Sequence, residues 1–247
     1  MRRYDMCKSI AAGSIMPLVF FVVTVIDINS LVKSEAPSSA GIMMTFLDFA
    51  GGGLTGFVIC MLLFIPSVIV TSEYAGARAN AWELVRYRNR DSCTAVMIKR
   101  LLIYTVVFTA ITELLKIIVL VIFTDAGTFI SGGIAEYIIL DFVAGFTFYY
   151  RGLMIYHIIR NRTSHRAASV IAAVIIYFIE YIVYTYILYQ SPACPCHVLT
   201  IPFRVLTGET TLTAGVMYIL ASLMVDAALS VWLVAGMRRK DVMDRDG

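Results

Sequence analysis

The chain has 247 residues, of which 60% are apolar and 15% charged, with a net charge of +3 and a mean hydropathy of +0.82. A water-soluble domain carries roughly 25% charged residues, and one core in a chain this size cannot hide so much apolar surface. Soluble enzyme, disordered chain, collagen-like fibre and coiled coil are excluded, which leaves a multi-span membrane protein.

The chain opens on Arg2, Arg3 and Lys8, ahead of a first apolar run over residues 10–26. With Ser38-Ser39-Ala40 behind it, this run has the outline of a signal peptide. It is longer than the 7–15 residues of a signal core, so an uncleaved anchor is expected. Residues 42–50 are also apolar and either lengthen the second span, residues 51–71, or lie on the outer surface. That span opens on a glycine-rich stretch in which Gly52 and Gly56 permit close helix approach or a break.

The loop that follows is rich in helix formers over residues 73–87. Tyr74, Ala77, Ala81, Leu84 and Val85 recur at helical spacing, with Gly76, Asn80, Glu83 and Tyr87 on another side. Arg88-Asn89-Arg90 reads as a turn, with Asp91 or Ser92 placed to cap a helix that runs from Cys93 through Lys99 and Arg100 into the third span. One reading is an interfacial helix whose arginines hold anionic head groups. The other is a docking element for a soluble partner, with Trp82 as aromatic anchor and Arg78, Arg86, Arg88 and Arg90 setting register.

The third and fourth spans are residues 101–123 and 137–159. Glu113 and Lys116 share one face of the third, and Arg151 lies in the cytoplasmic third of the fourth. The fifth span, residues 167–188, carries Tyr177, Glu180, Tyr181 and Tyr184 as one polar stripe. The depths of Glu113 and Glu180 allow a Glu113–Lys116–Glu180 cluster. Residues 190–212 hold Pro192, Pro195 and Pro202 around an apolar run too short to span, so a short re-entrant or interfacial outer segment is expected. The sixth span, residues 213–234, carries Asp226 at mid-depth. Charges at such depth cost about 2.5–3.5 kcal/mol each and face protein or water. The stripe, Glu113, Lys116 and Asp226 either line a translocation path or pair between packed helices.

Orientation follows from Lys and Arg. Sixteen of the 20 basic residues fall on one side, Lys33 and Arg204 on the other, and Lys116 and Arg151 within spans. Six transmembrane helices with both termini in the cytoplasm satisfy this split. No linker divides the chain, so residues 1–247 form a single all-α transmembrane domain. The five cysteines form no metal frame, and Cys194 and Cys196 stand too close for an easy mutual disulfide. No phosphate-cradling G-x-x-x-x-G-K-S/T loop is present, so the chain has no means of using ATP alone. His157, His165 and His197 lie at span ends or in loops, and there is no H-E-x-x-H or G-x-S-x-G, which argues against an intramembrane enzyme. Nothing calls for a cofactor, a metal or nucleic acid.

The layout of Glu73-Tyr74-Ala75-Gly76-Ala77-Arg78, the basic turn over 86–90 and Lys99-Arg100 resembles the ABC type-2 permease family, the membrane halves of ATP-driven exporters. The resemblance extends over the whole chain in span count, termini and length. It is most similar to the small permeases of bacterial peptide or bacteriocin export and self-protection. The resemblance implies a plasma-membrane permease dimer, with identical or related subunits, and an amphipathic coupling helix between spans two and three. Glu73, Gly76, Arg78, Trp82, Glu83, Arg86, Arg88 and Arg90 would dock a cytoplasmic ATPase. It also implies a peptide, lipid-like or drug substrate, an interfacial elbow over residues 1–8, and short outer helices before span six. The competing expectation is a non-transporting membrane protein of the same topology, such as an immunity factor, assembly subunit or sensor.

Overall fold

A computed structural model of the protein describes residues 4–35, 39–47, 58–74, 90–124, 127, 134–163, 165–187 and 195–239. Among these, every regular element is a helix. Helix α1 is Tyr4–Glu35, α2 is Ser39–Leu47, and α3 is Ile65–Tyr74, continuing a π-helical turn over Cys60–Phe64. Helix α4 is Arg90–Phe123 and α5 is Ile134–Arg162. Helix α6, Arg166–Ile182, runs on into a π-helical turn over Val183–Ile187. A 3-10 turn, Pro195–Thr200, leads into α7, Ile201–Leu206, and the last helix is α8, Leu212–Arg239.

Among the described residues four helices are long and apolar enough to cross a membrane: Cys7–Ser30 within α1, Ser92–Phe123 within α4, Ile134–Arg162, and Leu212–Met237 within α8. The apolar piece Cys60–Glu73 is shorter. Large apolar side chains cover their outer surfaces, among them Ile15, Leu18, Val22 and Ile26 on α1 and Leu114, Ile118, Val121 and Ile122 on α4. On α6 the usual amphipathic order is inverted. Ser169, Ala173 and Tyr177 face inward, whereas Ile171, Ile175, Phe178, Ile179 and Ile182 face out. A surface of this kind is stable against lipid and not against water.

Helix α5 is the centre of the bundle. Of its most apolar 18-residue window 72% is buried, against 28%, 39% and 22% in α1, α4 and α8. Every residue from Thr147 to His157 is buried. This stretch carries Thr, Tyr, Arg, Gly and His, so lipid is the wrong solvent for it and neighbouring helices enclose it. Gly152 is where α5 meets α3 and α6 most closely: a Cβ there would lie 2.7 Å from Ile65 Cδ1 and 3.3 Å from Tyr177 Oη.

Two prolines shape the helices around it. Pro17, inside α1, has no N–H for the carbonyl of Gly13, and that freed oxygen accepts Ser67 Oγ at 3.4 Å. At Gly13 itself α1 presses on a hydrogen-bonded Thr71–Tyr104 pair, leaving a Cβ only 2.5 Å from Tyr104 Oη. Pro66 follows the Cys60–Phe64 turn. Its ring collides with the carbonyl four residues back, and the chain widens to a π turn in which Ile65 N–H reaches Cys60 O.

The helices alternate in direction. One end of the bundle gathers the starts of α1, α4 and α6 and the ends of α3, α5 and α8, as the Ser67–Gly13, Thr71–Tyr104, Glu73–Arg166 and Arg162–Trp232 contacts require. Lys8, Lys99, Arg100, Arg160, Arg162 and Arg166 belong to that end, and Lys33 and Arg204 to the other.

At that other end a second core forms. Phe21 and Ile28 of α1, Met43 and Phe46 of α2, Leu120 of α4 and Ile134 of α5 close on one another. Residues 42–47 therefore form a helix of their own and do not lengthen α3. The apolar run before α8 is also packed inward, with Val198, Leu199, Ile201 and Pro202 buried next to α5 and α8.

Candidate functional site

The chemistry-bearing side chains form a polar column down α5. Nearest the less basic end, Asp141 is wholly buried. Its Oδ2 accepts Lys116 Nζ at 2.5 Å and Tyr137 Oη at 3.0 Å. The same ammonium donates to Glu113 Oε1 at 2.8 Å. Glu113 and Lys116 sit three residues apart on α4, and α5 delivers Asp141 and Tyr137 from one of its own faces. Two carboxylates thus share one ammonium, with Tyr149 Oη and Cys60 Sγ, 3.6 Å apart, packed on the inner side.

Ten residues further along α5, about 15 Å at 1.5 Å per residue, Arg151 crosses to α8. Its Nε donates to Asp226 Oδ1 at 2.9 Å, and a terminal nitrogen donates to Ser222 O at 3.2 Å and to Ser222 Oγ. Ser222, Asp226 and Ser230 lie at successive turns of α8, and Ser230 meets Tyr150 Oη at 2.9 Å. Glu180 on α6 is near enough to act on the guanidinium electrostatically. Tyr177 donates its phenol to Phe148 O at 2.6 Å and is wholly buried, while Glu180 and Tyr181 are half-buried.

At the basic end the column finishes in a clasp. Glu73, near the end of α3, accepts Arg166 Nε at 2.6 Å and the Tyr156 hydroxyl. Arg166 also reaches back to Val70 O at 3.4 Å. One carboxylate ties the ends of α3 and α5 to the start of α6.

The structure brings together Glu113 and Lys116 as expected from their spacing. It closes their cluster with Asp141, not with Glu180, because α4 lies against α5 at that depth. Asp226 pairs with Arg151. Sequence reasoning passed over Asp141, Tyr137, Ser222 and Tyr156. A second acid within an apolar run was the available signal for Asp141, and the other three carried none. Gly76, Arg78, Trp82, Glu83, Arg86 and Arg88 lie outside the described residues. Arg90 opens α4, and Tyr184 falls within the second π turn. Among the described residues no three His, Cys, Asp or Glu groups are placed to hold a metal, and Cys7, Cys60 and Cys93 are in no disulfide.

Within the bundle these groups tie α5 to α4 at one height, to α8 at the next, and to α3 and α6 at the basic end. No family model matches the chain, and no curated protein or solved structure matches it.

Proposed function

We propose that the protein is the membrane-spanning permease subunit of an ATP-binding-cassette exporter of the type-2 kind in a bacterial inner membrane. In this reading α1, α3 with the apolar residues before it, α4, α5, α6 with its π-helical extension, and α8 are six spans. The basic end of the bundle faces the cytoplasm in this reading, which the distribution of Lys and Arg supports. Two subunits, identical or related, form the pathway, and each docks a separate ATPase through residues 73–92. ATPase closure pushes that segment, and the push enters the spans at Glu73. Cargo is a peptide, a lipid-like molecule or a drug.

The observation that carries this reading is the clasp. A segment that takes force from a motor must be rooted rigidly in the helices it moves, and Glu73 holds α3, α5 and α6 at once. Bistable repacking of these three helices is then the conformational step. A second reading has its own support. Lys116 and Arg151 are both saturated by buried carboxylates, as in a static bundle, and a non-transporting immunity, assembly or sensor subunit needs nothing more.

Co-purification separates the two. The tagged wild-type chain, extracted in mild detergent, is expected to bring down an ATPase at equal stoichiometry. The Arg86→Glu, Arg88→Glu, Arg90→Glu triple variant should lose it by at least about tenfold, since opposed charges in register cost several kcal/mol, with membrane insertion unchanged. An ATPase retained by the triple variant refutes docking through the arginines. A wild-type chain that brings down none supports the second reading.

A further inference from the structure

At the basic end, α5 and α8 part to leave an open groove of about 510 Å³. Ile158 and Leu233 form its apolar wall, Gly236 and Asn161 its floor, and Arg162 and Trp232 its rim. The Arg162 guanidinium stands 5.4 Å from the centre of the Trp232 ring, within the range of a cation–π contact.

Two features distinguish this arginine from its neighbours. Arg166 is neutralised by Glu73, Arg151 by Asp226, and Arg160 donates to Thr163 O at 3.3 Å. Among the described residues no acid pairs with Arg162, and its charge is held in place by an aromatic ring. A second cation, Arg160, lies two residues before it, so the sequence around the rim is basic as well. The rim tryptophan is half exposed, and Val231 beside it faces fully outward.

A fixed cation over a tryptophan, above an apolar wall and at the edge of a lipid-facing helix, matches one ligand in both halves. The phosphate of a membrane lipid answers the guanidinium, and its acyl chain answers the wall. We propose that this groove seats one anionic phospholipid, its phosphate on Arg162 and an acyl chain along Ile158 and Leu233. The proposal needs a membrane around the bundle and is independent of any transport role. A zwitterionic lipid offers the same phosphate but carries its own cation into a basic surround, so the anionic class is selected.

The test uses fluorescence, because the chain has two tryptophans, Trp82 and Trp232. In a Trp82→Phe background, Trp232 is titrated in mild detergent with brominated phosphatidylglycerol and, separately, brominated phosphatidylcholine. Quenching by the anionic lipid is expected at about fivefold lower concentration, the factor contributed by one surface cation. Arg162→Gln should bring the two lipids level, while Lys99→Gln, an exposed cation on α4, should leave the preference intact. Gly236→Leu, which keeps every charge but fills the floor, should abolish the preference as well. Should Arg162→Gln fail to yield folded protein, Gly236→Leu decides the matter. Equal quenching in the parent protein, or a preference that survives either groove variant, overturns the proposal. A preference erased by millimolar inorganic phosphate assigns the site to free phosphate and overturns the lipid assignment.

Discussion

Lys116→Met is expected to cost roughly 3–5 kcal/mol of stability, the usual penalty for leaving a buried charge without its partner. Methionine keeps the length and apolar stem of lysine and removes only the ammonium. Glu113 and Asp141, both nearly inaccessible, then face each other with no cation between them. Water cannot take the place of Lys116 without opening the contact between α4 and α5. For a chain of this size the loss corresponds to a melting point lower by about 10 °C or more, read by fluorescence-detected size exclusion after a heating series. The triple variant Glu113→Gln, Lys116→Met, Asp141→Asn removes all three charges together and should recover most of the loss, since replacing a whole buried ionic group is often close to neutral. A single Lys116→Met that melts with the wild type would refute the cluster. A triple variant as poor as the single would show that side-chain shape and not charge is what matters there.

Arg151→Met should be of similar size and should act at a different seam. The guanidinium makes three donations to α8, two of them to groups on Ser222 and one to Asp226. Its removal strands Asp226 in the interior and unties α5 from α8 at mid-depth, again about 3–5 kcal/mol. Arg151→Lys is expected to recover only part of this, because a single ammonium cannot reproduce a planar fork addressed to two residues. Asp226→Asn should be milder than Arg151→Met, because the amide oxygen still accepts from Nε. The order Arg151→Met, then Arg151→Lys, then Asp226→Asn in falling severity is the signature. The reverse order, with Asp226→Asn the worst, would mean that Asp226 serves partners other than Arg151.

Much of the bundle was legible because its main determinant is one-dimensional. Apolar runs of membrane length and the sorting of Lys and Arg to alternate loops are properties of the string alone, and the end-to-end sorting of charge in the structure follows them. Helix ends were less legible. Helix α1 extends from Tyr4 to Glu35, well past the apolar residues 10–26, and α4 starts at Arg90 and runs 34 residues. Hydropathy marks the hydrocarbon layer, whereas the helix continues wherever its backbone bonds are satisfied. The same limit explains α2. Residues 42–47 are as apolar as a span, and their partners are Phe21 and Leu120 in place of lipid.

Pairings were the hardest to foresee. Glu113 and Lys116 could be joined from their spacing on one helix, but Asp141 lies 25 residues from Lys116 and Asp226 lies 75 from Arg151. Such pairs depend on which helices touch and at what height, and that is settled by packing. Close contacts such as that of Gly152 with Ile65 and Tyr177 set the height, and sequence periodicity does not report them. The clasp is of the same kind: Glu73 stood out from its place at the end of the second apolar run, while Tyr156 was one tyrosine among 14.

The account depends on residues 73–92 lying where a cytoplasmic ATPase can grip them, and the side of the membrane on which Trp82 stands tests this most directly. With the exposed Cys7 and the other cysteines replaced by Ser, Trp82→Cys is treated with a membrane-impermeant maleimide. No labelling of intact cells and full labelling of inside-out vesicles is the predicted result. Labelling of intact cells would put the segment on the outer face, beyond the reach of any ATPase, and would contradict the account.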